Sequence, residues 1–212
     1  LDPILSDNFS IGKAPQFLNR KRTKESHTPS IAVWGDSHMA AAFLTDELIN
    51  IFGIKKDAVR SKFISPTMAR AGVRLPVKKF CQSDSWEFDY AYRNNSQETY
   101  LKSLAKLKTS KANSYLWIDF RVGDSGAQLK NLSMKFNVTS KSKLAISLDD
   151  GDEKIIELSP ESELQELALT SNSGFFSLLK IKLLEGHISI DGFMPTYSDT
   201  PSLFLDLMAI PG

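Results

Sequence analysis

Four residues carry the sharpest chemical signal in this chain: Gly35, Asp36, Ser37 and His38. They stand between a short apolar run, 31–34, and a helix-like run that opens on Ala40, Ala41 and Ala42. That order sets a serine hydroxyl on the turn from a buried strand into a helix. Backbone N–H groups there point outward and stabilise a developing negative charge. Small residues after the turn leave the hydroxyl uncovered, as a nucleophilic serine requires. Asp and Ser are also good helix N-caps, so the same residues read as an ordinary capped turn. Both readings stand at this point.

A serine nucleophile works with a base. The histidines are His27, His38 and His187, and none follows an aspartate by three residues. His38 adjoins Ser37, but neighbours on a helix point in different directions. Asp36 is read as setting the turn. Elsewhere, Arg70 and Arg74 flank Gly72 and suit bidentate capture of a substrate carboxylate. Asp149, Asp150, Asp152 and Glu153 offer oxygen ligands to calcium, but a hairpin turn rich in Asp and Gly needs no ion. The reading is no metal and no cofactor. Trp86, Tyr90 and Tyr92 suit either stacking on sugar rings or packing in a core.

The elements that must position these groups follow from periodicity. Residues 1–29 read as an arm. Run 31–34 is short enough for a buried strand. Residues 40–52 have helical spacing, with Phe43, Leu44, Leu48, Ile51 and Phe52 on one stripe, and Gly53 stops the helix. Residues 59–64 then read as a second strand, which opens a parallel α/β layer. Residues 67–86 read as irregular, and 100–107 as a short helix through Tyr100, Leu101, Leu104 and Leu107. Past Ser114 the texture changes. Runs 115–122, 132–138, 144–148, 155–158, 164–169, 175–184 and 187–193 read as strands. Their rhythm of about 10 to 12 residues is that of a β-sandwich. The last run, 202–210, either closes that sandwich or returns to the first layer.

Composition narrows the function classes. In 212 residues, 42% are apolar and 24% charged, as in an ordinary globular protein. A net charge of +1 gives no global field for nucleic acid. One cysteine, Cys81, excludes an internal disulfide. No apolar run approaches the ~20 residues that span a bilayer. The chain begins at Leu1, which reads as a processed or excised segment.

The run IAVWGDSH resembles block I of the SGNH (GDSL-type) hydrolases, whose Gly-Asp-Ser serine is the nucleophile. A following β-sandwich and the segment LDLMAIPG resemble the envelope peptidoglycan and polysaccharide O-acetylesterases, which carry a carbohydrate-module-like insertion. The fold this implies is α/β: a partial SGNH, flavodoxin-like layer interrupted by an all-β, jelly-roll-like sandwich. It divides the chain into an arm (1–29), an SGNH-like segment (30–111), the sandwich (112–198) and a return strand (199–212). Ser37 is then the nucleophile and Gly212 an oxyanion donor. The family's Gly-x-Asn-Asp and Asp-x-x-His are missing, so the chain reads as ending before the catalytic histidine. The implied partner is an O-acetylated carbohydrate polymer, and the implied place the cell envelope, periplasm or exterior. The alternatives are a non-catalytic carbohydrate- or partner-binding protein and an O-acetyltransferase of the same superfamily. An exposed aromatic row on one sandwich face, without a cleft at Ser37, would favour the binding protein.

Overall fold

The computed structural model describes residues 28–69, 77–93, 105–121 and 128–209. Arg70, Arg74, Gly212, His27 and the arm before residue 28 lie outside the described residues.

Most of the described chain alternates apolar and polar residues, and it folds as antiparallel strands. One five-stranded sheet runs β10 (Gln165–Leu169), β7 (Leu129–Asn137), β12 (Ile188–Tyr197), β5 (Ala105–Thr109) and β4 (Glu87–Tyr90). A second runs β3 (Lys79–Gln82), β6 (Tyr115–Asp119), β11 (Leu178–Glu185), β8 (Ser142–Leu148) and β9 (Lys154–Leu158). The inward residues of both form one core. Leu132, Met134 and Phe136 of β7 and Ile190 of β12 share it with Leu116 and Ile118 of β6 and Leu179, Ile181 and Leu183 of β11. Burying these aliphatic and aromatic side chains contributes about 1.5–3 kcal/mol each before conformational entropy is set against it.

A small parallel sheet stands beside the sandwich, in the order β1 (Ser30–Gly35), β13 (Leu203–Ala209) and β2 (Val59–Arg60). Between β1 and β2 lie α1 (Ser37–Ala40), α2 (Phe43–Ile51) and a short 3₁₀ turn, Lys56–Ala58. The α/β, flavodoxin-like fold class expected from the sequence is therefore wrong. Such a layer needs a run of parallel strands with crossover helices on both faces. The described chain is mostly β, its two larger sheets are antiparallel, and a single helix exceeds one turn. The sandwich also takes β3, β4 and β5 from the segment that the sequence reading assigned to the α/β layer.

Two local expectations fail as well. Residues 105–107 belong to a strand, not to a helix. The helix expected over 40–52 is broken at Ala42, which takes a left-handed conformation (φ 58). Restarting at Phe43 rotates the apolar stripe outward. Thr45 and Ile49 are buried, while Phe43 (68% exposed) and Ile51 (70%) face solvent.

Three sets of contacts hold the joint between the parallel sheet and the sandwich, around the segment 61–64 that runs from β2 to the bridge with β12. Asp206 of β13 is buried, and its Oδ1 accepts the Ser61 hydroxyl (2.7 Å) and the N–H groups of Lys62 (2.7 Å) and Phe63 (3.0 Å). Ile64 and Phe193 of β12 exchange backbone hydrogen bonds of 2.8 and 3.0 Å. The buried Arg60 donates to Asp199 (2.8 Å) and lies 5.7 Å from the ring centre of Tyr197, whose hydroxyl donates to the Ser61 carbonyl (2.9 Å). Gly192 is required at this joint. A Cβ there would stand 2.4 Å from Phe63 Cζ, and its φ of +155 is unfavourable to other residues.

Candidate functional site

The Gly-Asp-Ser turn leaves the C-terminal end of β1 and enters α1 at Ser37. Gly35 is there for space: a Cβ would stand 2.2 Å from Met39 Cγ and 2.6 Å from Met39 Cβ. Asp36 closes the turn by accepting the His38 N–H through Oδ1 (3.0 Å). That backbone N–H, above all, holds the Asp36 carboxyl below its ordinary range. The His38 ring lies back against the same oxygen (Nδ1–Oδ1 3.4 Å), with both side chains largely in solvent. His187 is elsewhere, at the β11–β12 turn, where its backbone N–H donates to the Ser142 hydroxyl (3.0 Å). No cluster of metal-ligating side chains occurs among the described residues. The acidic turn serves another purpose: Asp149 and Asp150 adopt positive φ, and Asp149 Oδ1 accepts the N–H groups of Ser177 and Leu178, both at 2.8 Å.

A second feature has the shape of a binding site. On β6 the side chains alternate, Leu116 and Ile118 into the core and Tyr115 and Trp117 onto the outer face of the sheet. Strand register sets their neighbours. Trp117 lies between Cys81 of β3 and Lys180 of β11, and Tyr115 lies opposite Lys182. Beyond the lysines come Ser147 and Ala145 of β8, both small. Long side chains beside small ones leave a groove of about 420 Å³, with Lys79 and Glu153 at its edges. This volume is within the ~300–1,000 Å³ typical of small-molecule sites.

The charges around the groove differ in how they are engaged. Lys180 pairs with Asp150. Arg121 grips Asp119 with two bonds of 2.8 and 2.6 Å, and the guanidinium holds that carboxyl below its usual range. Lys79 Nζ stands 5.5 Å from the Trp117 ring centre. The side chains of Lys182 and Glu153 make no ion pair or hydrogen bond among the described residues.

Of the aromatics singled out in the sequence, Trp86 and Tyr90 are buried. Tyr92 is exposed and stacks on Tyr90, with centroids 5.4 Å apart, and Arg93 lies over both rings. The sequence reading missed Tyr115 and Trp117. Their signal was the alternation in YLWID, aromatic on one face and aliphatic on the other.

No protein-family model matches the chain, and no curated protein matches it. Among solved structures it is similar to CsCBM6-3 from Clostridium stercorarium in complex with cellobiose (9% identity, 66% of this chain and 96% of that one, TM-score 0.42). It is also similar to a family GH115 4-O-methyl-α-glucuronidase with specificity for decorated arabinogalactans (12% identity, 53% of this chain, TM-score 0.34). The chain spans only 17% of that enzyme's length. A third is a family two carbohydrate esterase from Cellvibrio japonicus (9% identity, 56% of this chain and 34% of that one, TM-score 0.34).

Proposed function

We propose that this chain is a carbohydrate-binding protein and that the groove on the outer face of β6, β11 and β8 holds the glycan. The observation that carries the reading is the pair Tyr115 and Trp117, turned out of the core onto one sheet face and lining a groove. One face of a pyranose ring is a flat patch of C–H bonds, slightly positive, and it packs against the negative π face of an aromatic ring. Lysines, Ser147 and Glu153 around the rings supply donors and acceptors for hydroxyl groups, which apolar stacking alone would leave unsatisfied. A sheet face holds these groups on rigid strands, so little ordering entropy opposes binding. In this reading the sandwich is the binding unit, the parallel sheet is a platform joined to it through Arg60 and the Ile64–Phe193 bridge, and the protein works outside the cytoplasm, where polymeric glycans lie.

Affinity electrophoresis in gels containing soluble polysaccharides tests the proposal. Retardation in at least one glycan, lost in Tyr115→Ala and Trp117→Ala, is the expected result. Free migration of the parent chain in every glycan would overturn it.

A second reading keeps Ser37 as the nucleophile of an ester hydrolase acting on O-acetyl groups of the bound polymer. The observation that favours it is the tight turn at the end of the parallel strand β1, with Gly35 required by Met39 and Asp36 occupied in closing the turn. The serine oxygen would add to the ester carbonyl and expel the sugar hydroxyl, and water would then release acetate from the acyl-serine. Labelling by a fluorophosphonate probe, abolished in Ser37→Ala, is the expected result. An unlabelled chain that binds glycan would leave the binding function alone.

A further inference from the structure

Building on the glycan-binding reading, we infer that the ligand of this groove is an acidic oligosaccharide, held by carboxylates on more than one sugar. The groove is lined by three lysines and one carboxylate, and the lysines are unequal. Lys180 is already neutralised by Asp150. Among the described residues, Lys182 has no ion pair and Lys79 is engaged only with the Trp117 ring. A cation resting on a half-buried ring at the groove surface can be redirected to an anion, because that contact is among the weaker ones. Two ammonium groups are therefore available, one at each end of the aromatic pair.

Their separation selects the ligand. Lys79 is paired with Asp119 and Lys182 with Tyr115, so they lie on opposite sides of β6 and four residues apart along it. Strand spacing and rise put their Cα atoms about 16 Å apart on the sheet face. A ligand that meets both lysines with their side chains directed away from β6 is longer than one sugar ring. A short chain of sugars fits, with its rings over Trp117 and Tyr115 and carboxylates at the two ends. Two free cations do not match the dense phosphates of a nucleic acid, whose binders neutralise several at once.

The test is a calorimetric titration of the whole chain with uronic-acid oligosaccharides based on galacturonate, glucuronate and mannuronate, each beside its methyl ester. Esterification removes the charge and keeps the sugar backbone. At least one acid form should bind about tenfold more tightly than its ester, as expected for a charge-assisted contact. Raising the salt should reduce that advantage. The Lys79→Gln, Lys182→Gln double variant should bring acid and ester to a common affinity, and single uronate sugars should bind far more weakly than the oligomers. A sulfated oligosaccharide arm tells whether carboxylate or any anion serves. Equal binding of acid and ester, or an advantage that survives in the double variant, would overturn the inference and leave glycan binding intact. An oligonucleotide that binds more tightly than every glycan would overturn it too. Absence of binding to any glycan, esters included, would remove both.

Discussion

Replacing Asp206 with alanine should loosen β13 from the segment 61–63, which leads from the parallel sheet to its bridge with the sandwich at Ile64. One carboxylate oxygen takes three donors, from Ser61, Lys62 and Phe63. They do not suffer equally when it is removed. The Ser61 hydroxyl can turn to the Phe63 carbonyl, already 2.7 Å away, and the part-buried Lys62 N–H belongs to an exposed residue and lies nearer to water. The Phe63 N–H is left buried and unpaired, in a residue that is 2% exposed. One orphaned donor and the loss of a charge-assisted acceptor together cost about 2–4 kcal/mol. That is a large part of a total stability on the order of 5–15 kcal/mol. Asp206→Asn keeps an acceptor oxygen in place and should cost about 1 kcal/mol, the charge assistance alone. Urea unfolding curves of the three proteins measure both values. In a background with Trp86 and Trp117 replaced by Phe, Trp34 on β1 reports on the parallel sheet and far-ultraviolet dichroism on the sandwich, so an early fluorescence change in the alanine variant would mark the sheet detaching first. An alanine variant within about 0.5 kcal/mol of the parent, or an asparagine variant as unstable as the alanine one, would refute the reasoning.

Three further predictions concern stability. Gly192→Ala should destabilise by about 1–3 kcal/mol, because its methyl group meets the Phe63 ring at 2.4 Å; urea midpoints read this directly. Burial pushes the Tyr197 hydroxyl above the usual phenol range, so its contribution is whole below about pH 10 and is lost as the pH rises further. Unfolding curves from about pH 9 to pH 11 should fall in the parent and flatten in Tyr197→Phe. The Asp119 carboxyl, held low by Arg121, acts in the opposite sense: its contribution is present above the ordinary value of 3.8 and lost as the pH falls. Asp119→Asn should therefore shrink the acid limb of the stability profile.

The sandwich is legible in the sequence where alternation is unambiguous. Leu132, Met134 and Phe136 must share a face in a strand, and they do. The Asp149-Asp150 turn is legible because aspartate tolerates the left-handed conformation that a tight hairpin demands. Strand β5 hides because Leu101, Leu104 and Leu107 also fit a helix, and because its buried Lys106 breaks the apolar pattern. Nothing in the sequence marks Ala42 as left-handed, so the rotation that exposes Phe43 is out of reach of periodicity. The groove is half legible. YLWID announces a strand, but aromatic and aliphatic residues on its two faces read alike as buried, and only the neighbouring lysines and small residues show which face is open. Asp206 and Ser61 are 145 residues apart, and no local pattern connects them.

The most direct measurement of the central claim uses Cys81, the chain's single cysteine, which faces Trp117 in the register of the groove. Its alkylation rate would be followed with and without a saturating bound glycan. Binding in the groove predicts at least about tenfold slower labelling with the glycan present, and no protection in Trp117→Ala. A glycan that binds tightly and leaves the Cys81 rate unchanged would contradict the assignment of the groove.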